Sequence, residues 1–204
     1  MKKKFLAILA MAVFTVNTGV TCAATPEVPE NIYKWVQSSD RTSYYFNKEQ
    51  ICFAKNADDT INSQKLVVPV LKLFDDVMIN DVVAKRRWNG LTLHGFDDLQ
   101  GAAEYLQIDL NTKEIIVEEV DFLDSTWTAL EQVKLEKKIK LDTLSPKSLD
   151  YKFYSRIIDF SQRNQLKLAL RVNRNLDTSE QDKFAQAQAE YRAANKPEKL
   201  EDNE

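Results

Sequence analysis

Hydrophobic and polar residues alternate along most of this chain, with a helical period taking over toward its end. Residues 32–37 (IYKWVQ) read as a strand, and Ser38-Ser39-Asp40-Arg41 supplies turn chemistry, because Ser and Asp side chains bond nearby backbone. Residues 42–46 (TSYYF) are rich in β-formers and complete a hairpin. Asn47-Lys48-Glu49 turns into a third strand at 50–55, followed by a polar loop over 56–62. Residues 66–71 (LVVPVL), extended by Leu73 and Phe74, form a continuous apolar run, which predicts a strand covered on both faces. Pro69 cannot donate to a ladder, so the expectation is an edge strand or a bulge at that point. Residues 77–90 fit neither period well. A short helix over 81–88, capped by Asn80 and ended by Asn89-Gly90, is the expectation there.

The cleanest alternation is 104–110, with Leu106, Ile108 and Leu110 on one side and Tyr105, Gln107 and Asp109 on the other. After a short loop at 111–113, residues 115–123 pair back as a hairpin. Ile116, Val120 and Phe122 are placed on one face, and Ile115 and Val117 on the other. Over 127–141, Val133, Leu135, Ile139 and Leu141 are in phase with lysines and glutamates between them, a strand with one solvated face. Ser145-Pro146 then opens a helix, with Ser145 as cap and Pro146 where its missing N–H costs nothing. Leu149, Phe153, Ile157 and Phe160 recur at helical spacing and form a stripe that must dock on the sheet. Residues 166–172 alternate yet also fit a helix. Thr178 or Ser179 caps a last helix running to about Ala194 with only Phe184, Tyr191 and alanines to bury, and 196–204 reads as a disordered tail. The fold class expected is α+β: an antiparallel sheet of about five to seven strands with a packed C-terminal helix. The domain spans 25–172, and 173–204 is a helical or disordered C-terminal segment.

The first two dozen residues stand apart. Lys2, Lys3 and Lys4 precede the apolar stretch 5–16 (FLAILAMAVFTV), and a small, polar segment ends in Thr21-Cys22-Ala23-Ala24. That is the pattern of a secretory signal peptide, with cleavage expected after Ala24. The stretch is too short for a hydrocarbon core of about 30 Å at about 1.5 Å per residue, and no later stretch is apolar for long enough to span one. The destination expected is the periplasm or cell surface of a Gram-negative-type bacterium. Cys22 fits lipoprotein acylation poorly, because the preceding Gly19-Val20-Thr21 lacks the usual Leu and has Thr where a smaller residue is preferred, so no lipid anchor is expected. Cys52, flanked by Ile51 and Phe53, reads as a buried, inert thiol.

Composition then narrows the chemistry. The 204 residues carry 28 Lys+Arg and 31 Asp+Glu, a net of −3, and three of those lysines lie in the signal-like segment. The acid excess downstream argues against nucleic acid as a partner, since phosphate binding relies on clustered cations. One histidine and two cysteines exclude a multi-cysteine zinc site, an iron–sulfur cluster and a disulfide-dense scaffold. Gly90, Gly95 and Gly101 match no nucleotide fingerprint. No Gly-x-Ser-x-Gly elbow is present, so no catalytic residue is singled out and no cofactor is expected.

Three sets of residues remain as candidates. Trp35, Tyr44, Tyr45 and Phe46 form a candidate aromatic binding platform on the first hairpin, with Trp35, Tyr44 and Tyr45 as its binding candidates; at least half of the four is expected in the core because strand neighbours face opposite ways. Arg86, Arg87 and Trp88 could clamp and stack an anionic ligand; the bland alternative is a solvated helix face with one buried ring. His94, Asp97 and Asp98 are the densest set for a metal, against which stands a polar loop with a surface histidine.

Three elements together resemble the surface-adhesin protein E family of exported bacterial proteins. The first is the signal peptide followed by Trp35-Val36, a short turn into Tyr44-Tyr45-Phe46, then Ile51. The second is the hairpin ending in 115–122. The third is Leu144-Ser145-Pro146-Lys147-Ser148, with its Pro-x-Ser pattern, opening a closing helix that holds Tyr154. The resemblance covers 32–163 and implies a small α+β surface or periplasmic domain, with host-ligand adhesion in some relatives. Segments 75–101 and 164–204 depart from it, and it transfers no binding residue. The function expected is non-enzymatic binding of a host or envelope protein. The rival is a periplasmic enzyme or enzyme inhibitor with a site near His94, Asp97 and Asp98.

Overall fold

The computed structural model describes residues 27–196. The signal-like segment, the cleavage position after Ala24, Cys22 and residues 197–204 of the expected tail lie outside the described residues. Seven strands form one antiparallel sheet: β1 (Tyr33–Ser38), β2 (Thr42–Asn47), β3 (Cys52–Lys55), β4 (Ile61–Phe74), β5 (Leu99–Asp109), β6 (Glu114–Asp124) and β7 (Ala129–Lys140). Four helices accompany it: α1 (Asp76–Trp88), α2 (Leu149–Arg163), α3 (Gln165–Val172) and α4 (Thr178–Ala194). The fold is α+β with a packed C-terminal helix. No helix among the described residues is long and apolar enough to cross a membrane.

The strand order is β1-β2-β4-β5-β6-β7, with β3 pairing β4 beside β2. β4 is therefore central, not an edge, and its register with β5 runs unbroken from Lys65 to Leu73, so Pro69 makes no bulge either. The proline is accommodated because the other flank of β4 changes partner there. β3 pairs it up to Val67 and β2 from Val70 onward, so Val68 and Pro69 have no registered neighbour on that side. The missing N–H falls in the gap.

Tight turns hold the long hairpins. Asp109 accepts the backbone N–H groups of Asn111 and Thr112 at 3.0 and 2.9 Å. Asp124 accepts those of Thr126 and Thr128 at 2.8 and 2.9 Å and so supports Trp127 between them at φ +64°. At Gly101 a Cβ would lie 2.2 Å from the Lys72 carbonyl oxygen, so β4 and β5 approach closely only because that side chain is absent.

Bulges reset the phase that simple alternation implies. β6 pairs Tyr105 with Glu119 and Leu106 with Val117, leaving Glu118 as an extra residue. Ile115 and Val117 consequently share a face with Val120 and Phe122, and Ile116 turns to the other side, which corrects the expected grouping. Opposite the same irregularity, β7 carries Glu136 at φ +48°, and Leu135 drops out of phase to become exposed.

The helices cover one face of the sheet. Phe153, Tyr154 and Ile157 of α2 are buried there, with Phe153 5.4 Å from the Tyr44 ring and Phe160 5.0 Å from Phe46. The cap of α2 is Ser148, which accepts the Tyr151 N–H, while Ser145 belongs to the turn just before it. Residues 166–172 are helical as α3, and Leu168 and Ala169 are fully buried. α4 is capped by Asp177, not by Thr178 or Ser179, and docks through Phe184, stacked 5.7 Å from Phe53, and the Tyr191 hydroxyl, which donates to Asp159 at 3.2 Å. α1 is longer than its pattern predicted. It starts at Asp76, and Asp75 rather than Asn80 caps it.

Candidate functional site

The two faces of the sheet are unlike. Ladder partners share a face, so the register gives the helix-free one directly. One cross-strand row runs Trp35, Tyr45, Leu71, Ala103, Asp121 and Gln132. A second runs Pro69, Tyr105, Glu119 and Lys134. Leu71, Leu73 and Leu123 form a small buried cluster on this face, covered in part by Val28, Tyr33, Tyr45 and Trp127. Beyond that cover the face is open. Trp35 is 57% exposed and Tyr105 38% exposed.

The aromatic group of the first hairpin is divided by the pleat. Tyr44 faces the helices and touches Phe153, whereas Tyr45 and Trp35 pair on the helix-free face. Trp35 donates its indole N–H to Ser38 Oγ at 3.2 Å, which fixes the ring while leaving its surface in solvent.

Polar groups punctuate the open face. Asp121 is buried, and its Oδ1 has no hydrogen-bond partner among the described residues; Oδ2 lies 3.4 Å from the Gln132 amide nitrogen. Burial first, then the charges of Asp121 and Glu119, and a hydrogen bond with Asp121 raise the Tyr105 phenol above its ordinary value. Burial also raises Tyr33, against the opposing effect of a hydrogen bond with Asn47. Where the bulges open β6 from β7, a groove of about 570 Å³ is lined by Tyr105, Val67 and Ile116 with Glu118 and Lys138 on its walls. These are the elements of a binding surface: rings to stack on, phenols to donate and charges at the margin.

The other two candidate sets do not assemble. Arg86 is buried, its guanidinium carbon 3.8 Å from the centre of the Phe96 ring, and it donates to the Thr92 carbonyl and to Glu131. Trp88 is 91% exposed and Arg87 is exposed. The expected buried ring and solvated cation are thus exchanged, and Arg86 is a structural pillar unable to clamp a ligand with Arg87. His94, Asp97 and Asp98 are all exposed, and Asp98 accepts the Ser125 hydroxyl at 2.7 Å. Among the described residues no three His, Cys, Asp or Glu side chains are grouped to hold a metal.

Tyr33, Tyr105, Asp121 and Trp127 belong to the open face and were not singled out from the sequence. Alternation alone sets Tyr105 opposite Leu106; the signal that was needed is which side the helices take.

No protein-family model matches the chain, and no curated protein matches it.

Proposed function

We propose that this chain is an exported cell-envelope protein acting as a non-enzymatic, adhesin-like binding module, and that it takes a protein partner on the helix-free face of its sheet. The observation carrying this reading is the exposure of Trp35 and Tyr105 on a face that no helix covers. Aromatic side chains with a polar tip bring large contact area at low entropic cost, which suits them to an interface. The signal-like start and the resemblance to the surface-adhesin protein E family support the envelope as its place of work. The rival, an enzyme or inhibitor built around His94, Asp97 and Asp98, finds less support, because all three side chains are exposed and do not group to hold a metal among the described residues.

The partner this face fits is a host matrix or envelope protein that presents an apolar segment with flanking charge. Capture from outer-envelope extract and from purified matrix proteins, with the wild type and with Trp35→Ala/Tyr105→Ala side by side, tests the binding face. A partner retained by the wild type and lost with the double variant is the expected result. Equal retention by both removes the face from the function. Export is tested separately by the N-terminal sequence of the protein in periplasmic and surface fractions, expected to begin at Thr25. A cytosolic product beginning at Met1 overturns it.

A further inference from the structure

On the helix-covered side, away from the aromatic face, a cleft of about 720 Å³ lies where the β2–β3 turn meets α3 and α4. Its volume is within the range of about 300–1,000 Å³ that small-molecule sites occupy. Four cations line it, Lys167, Arg171, Arg174 and Arg192, against one acid, Glu49. That excess of positive charge is local, in a chain whose net charge is −3. Leu166 and Leu170 of α3 supply apolar lining, and Cys52 lines the cleft as well.

Three of the cations are already held. Arg171 donates to the carbonyls of Ile51 and Lys48 at 2.6 and 2.7 Å, which pins α3 to the β2–β3 turn. Arg192 donates through Nε to the Arg163 carbonyl at 2.9 Å. Lys167 meets Glu49 at 3.1 Å, and the same carboxylate accepts from Arg171 at 3.2 Å. Arg174 is exposed and makes no hydrogen bond or ion pair among the described residues. The Glu49 carboxylate, bridging two cations at the edge of the cleft, shows how this wall receives an anion. Lys167 and Arg171 hold its carboxyl below the ordinary range, the hydrogen bond from Lys167 being the largest cause.

We propose that this cleft is a binding site for a small organic anion with an apolar body. Its carboxylate is taken by Arg174 and Lys167, and its hydrocarbon lies over Leu166 and Leu170. Arg suits a planar carboxylate because its fork can bind both oxygens. The apolar lining argues against a bare inorganic anion, which would gain nothing from those leucines. This site goes beyond the partner-binding face and shares no residue with it, so either can fail without the other.

Isothermal titration of the purified full chain with decanoate tests the site, with decan-1-ol and inorganic phosphate as comparators. Decanoate is expected to bind one to one, at least tenfold tighter than either comparator. Arg174→Ala, at an exposed position with no partner among the described residues, is expected to weaken decanoate at least tenfold while leaving the thermal transition unchanged. Leu170→Trp, which fills the cleft, is expected to abolish binding. Bound decanoate is also expected to slow alkylation of Cys52 by iodoacetamide, followed on the Cys52 peptide by mass spectrometry. No decanoate binding, equal binding of decan-1-ol or phosphate, or an unchanged affinity in Arg174→Ala each overturns the proposal.

Discussion

The Arg86 guanidinium sits over the Phe96 ring, 3.8 Å from carbon to centroid, and its Nε and Nη2 both donate to the Thr92 carbonyl at 3.0 and 2.9 Å. One side chain thereby ties α1, the turn after it and, through Glu131, strand β7. Arg86→Ala removes the stacking, both carbonyl contacts and the ion pair. We expect a loss of about 2–3 kcal/mol, with Glu131 regaining some hydration because its side chain is partly exposed. Urea denaturation measures it, and an unchanged midpoint refutes the structural role.

Two residues further on, the effect reverses. Trp88 projects into solvent, so Trp88→Ala should stay within about 0.5 kcal/mol of wild type. Phe153, fully buried beneath Tyr44 and beside Tyr154, should cost about 3–5 kcal/mol as Phe153→Ala. Thermal melts of the two variants together check both expectations. A large shift for Trp88→Ala means that its ring is covered by something in the native protein.

Lys72 and Glu104 meet at 2.6 Å on the helix-covered face, with side chains 20% and 13% exposed. Glu104 Oε2 is buried without a hydrogen-bond partner among the described residues, and Lys72 Nζ lies 5.5 Å from the Tyr44 ring centre. Breaking such a pair leaves one charge stranded, whereas removing both leaves only a packing change. Lys72→Met should cost about 3 kcal/mol, and Lys72→Met/Glu104→Leu should recover to within about 1 kcal/mol of wild type. A double variant no more stable than the single one contradicts this account.

Acid should loosen the hairpin turns. Hydrogen bonds to Asp124, from the Thr126 side chain first and then from backbone N–H groups, lower its pKa, and Asp109 is lowered chiefly by the Thr112 N–H. A carboxyl whose folded pKa lies below its unfolded value of about 3.9 contributes stability above that pH and loses it as pH falls through the folded pKa. Asp124→Asn keeps an acceptor and removes the charge. Its deficit relative to wild type should be largest near pH 7 and shrink below about pH 4. A deficit independent of pH shows that the charge contributes nothing.

The strands and α2 were legible because their apolar residues keep a period set by one covering layer. Phase was legible only up to the first bulge: nothing in Val117-Glu118-Glu119 marks which residue is the extra one, and Glu136 takes a left-handed conformation without being glycine. α1 was read short because Arg86 is its only buried residue, so no apolar stripe announces it. Residues 166–172 satisfy both periods, and the choice is made by tertiary contacts at Leu168 and Ala169. The same limit applies to binding residues. Trp35 and Tyr45 stood out as aromatics on a hairpin. The cleft, however, joins Glu49, Lys167, Arg174 and Arg192 across more than a hundred positions, a proximity that only folding creates.

The last strand, β7, is an outer margin of the sheet, and its backbone offers unpaired groups along one side. Left straight, such a ribbon would recruit a neighbour's chain and seed fibres. The left-handed conformation of Glu136 and the irregular pairing opposite it break the regular ladder part-way along, and Lys134, Lys137, Lys138 and Lys140 place positive charge on the strand. Both features are of the kind that discourage another chain from adding to this margin as a further strand.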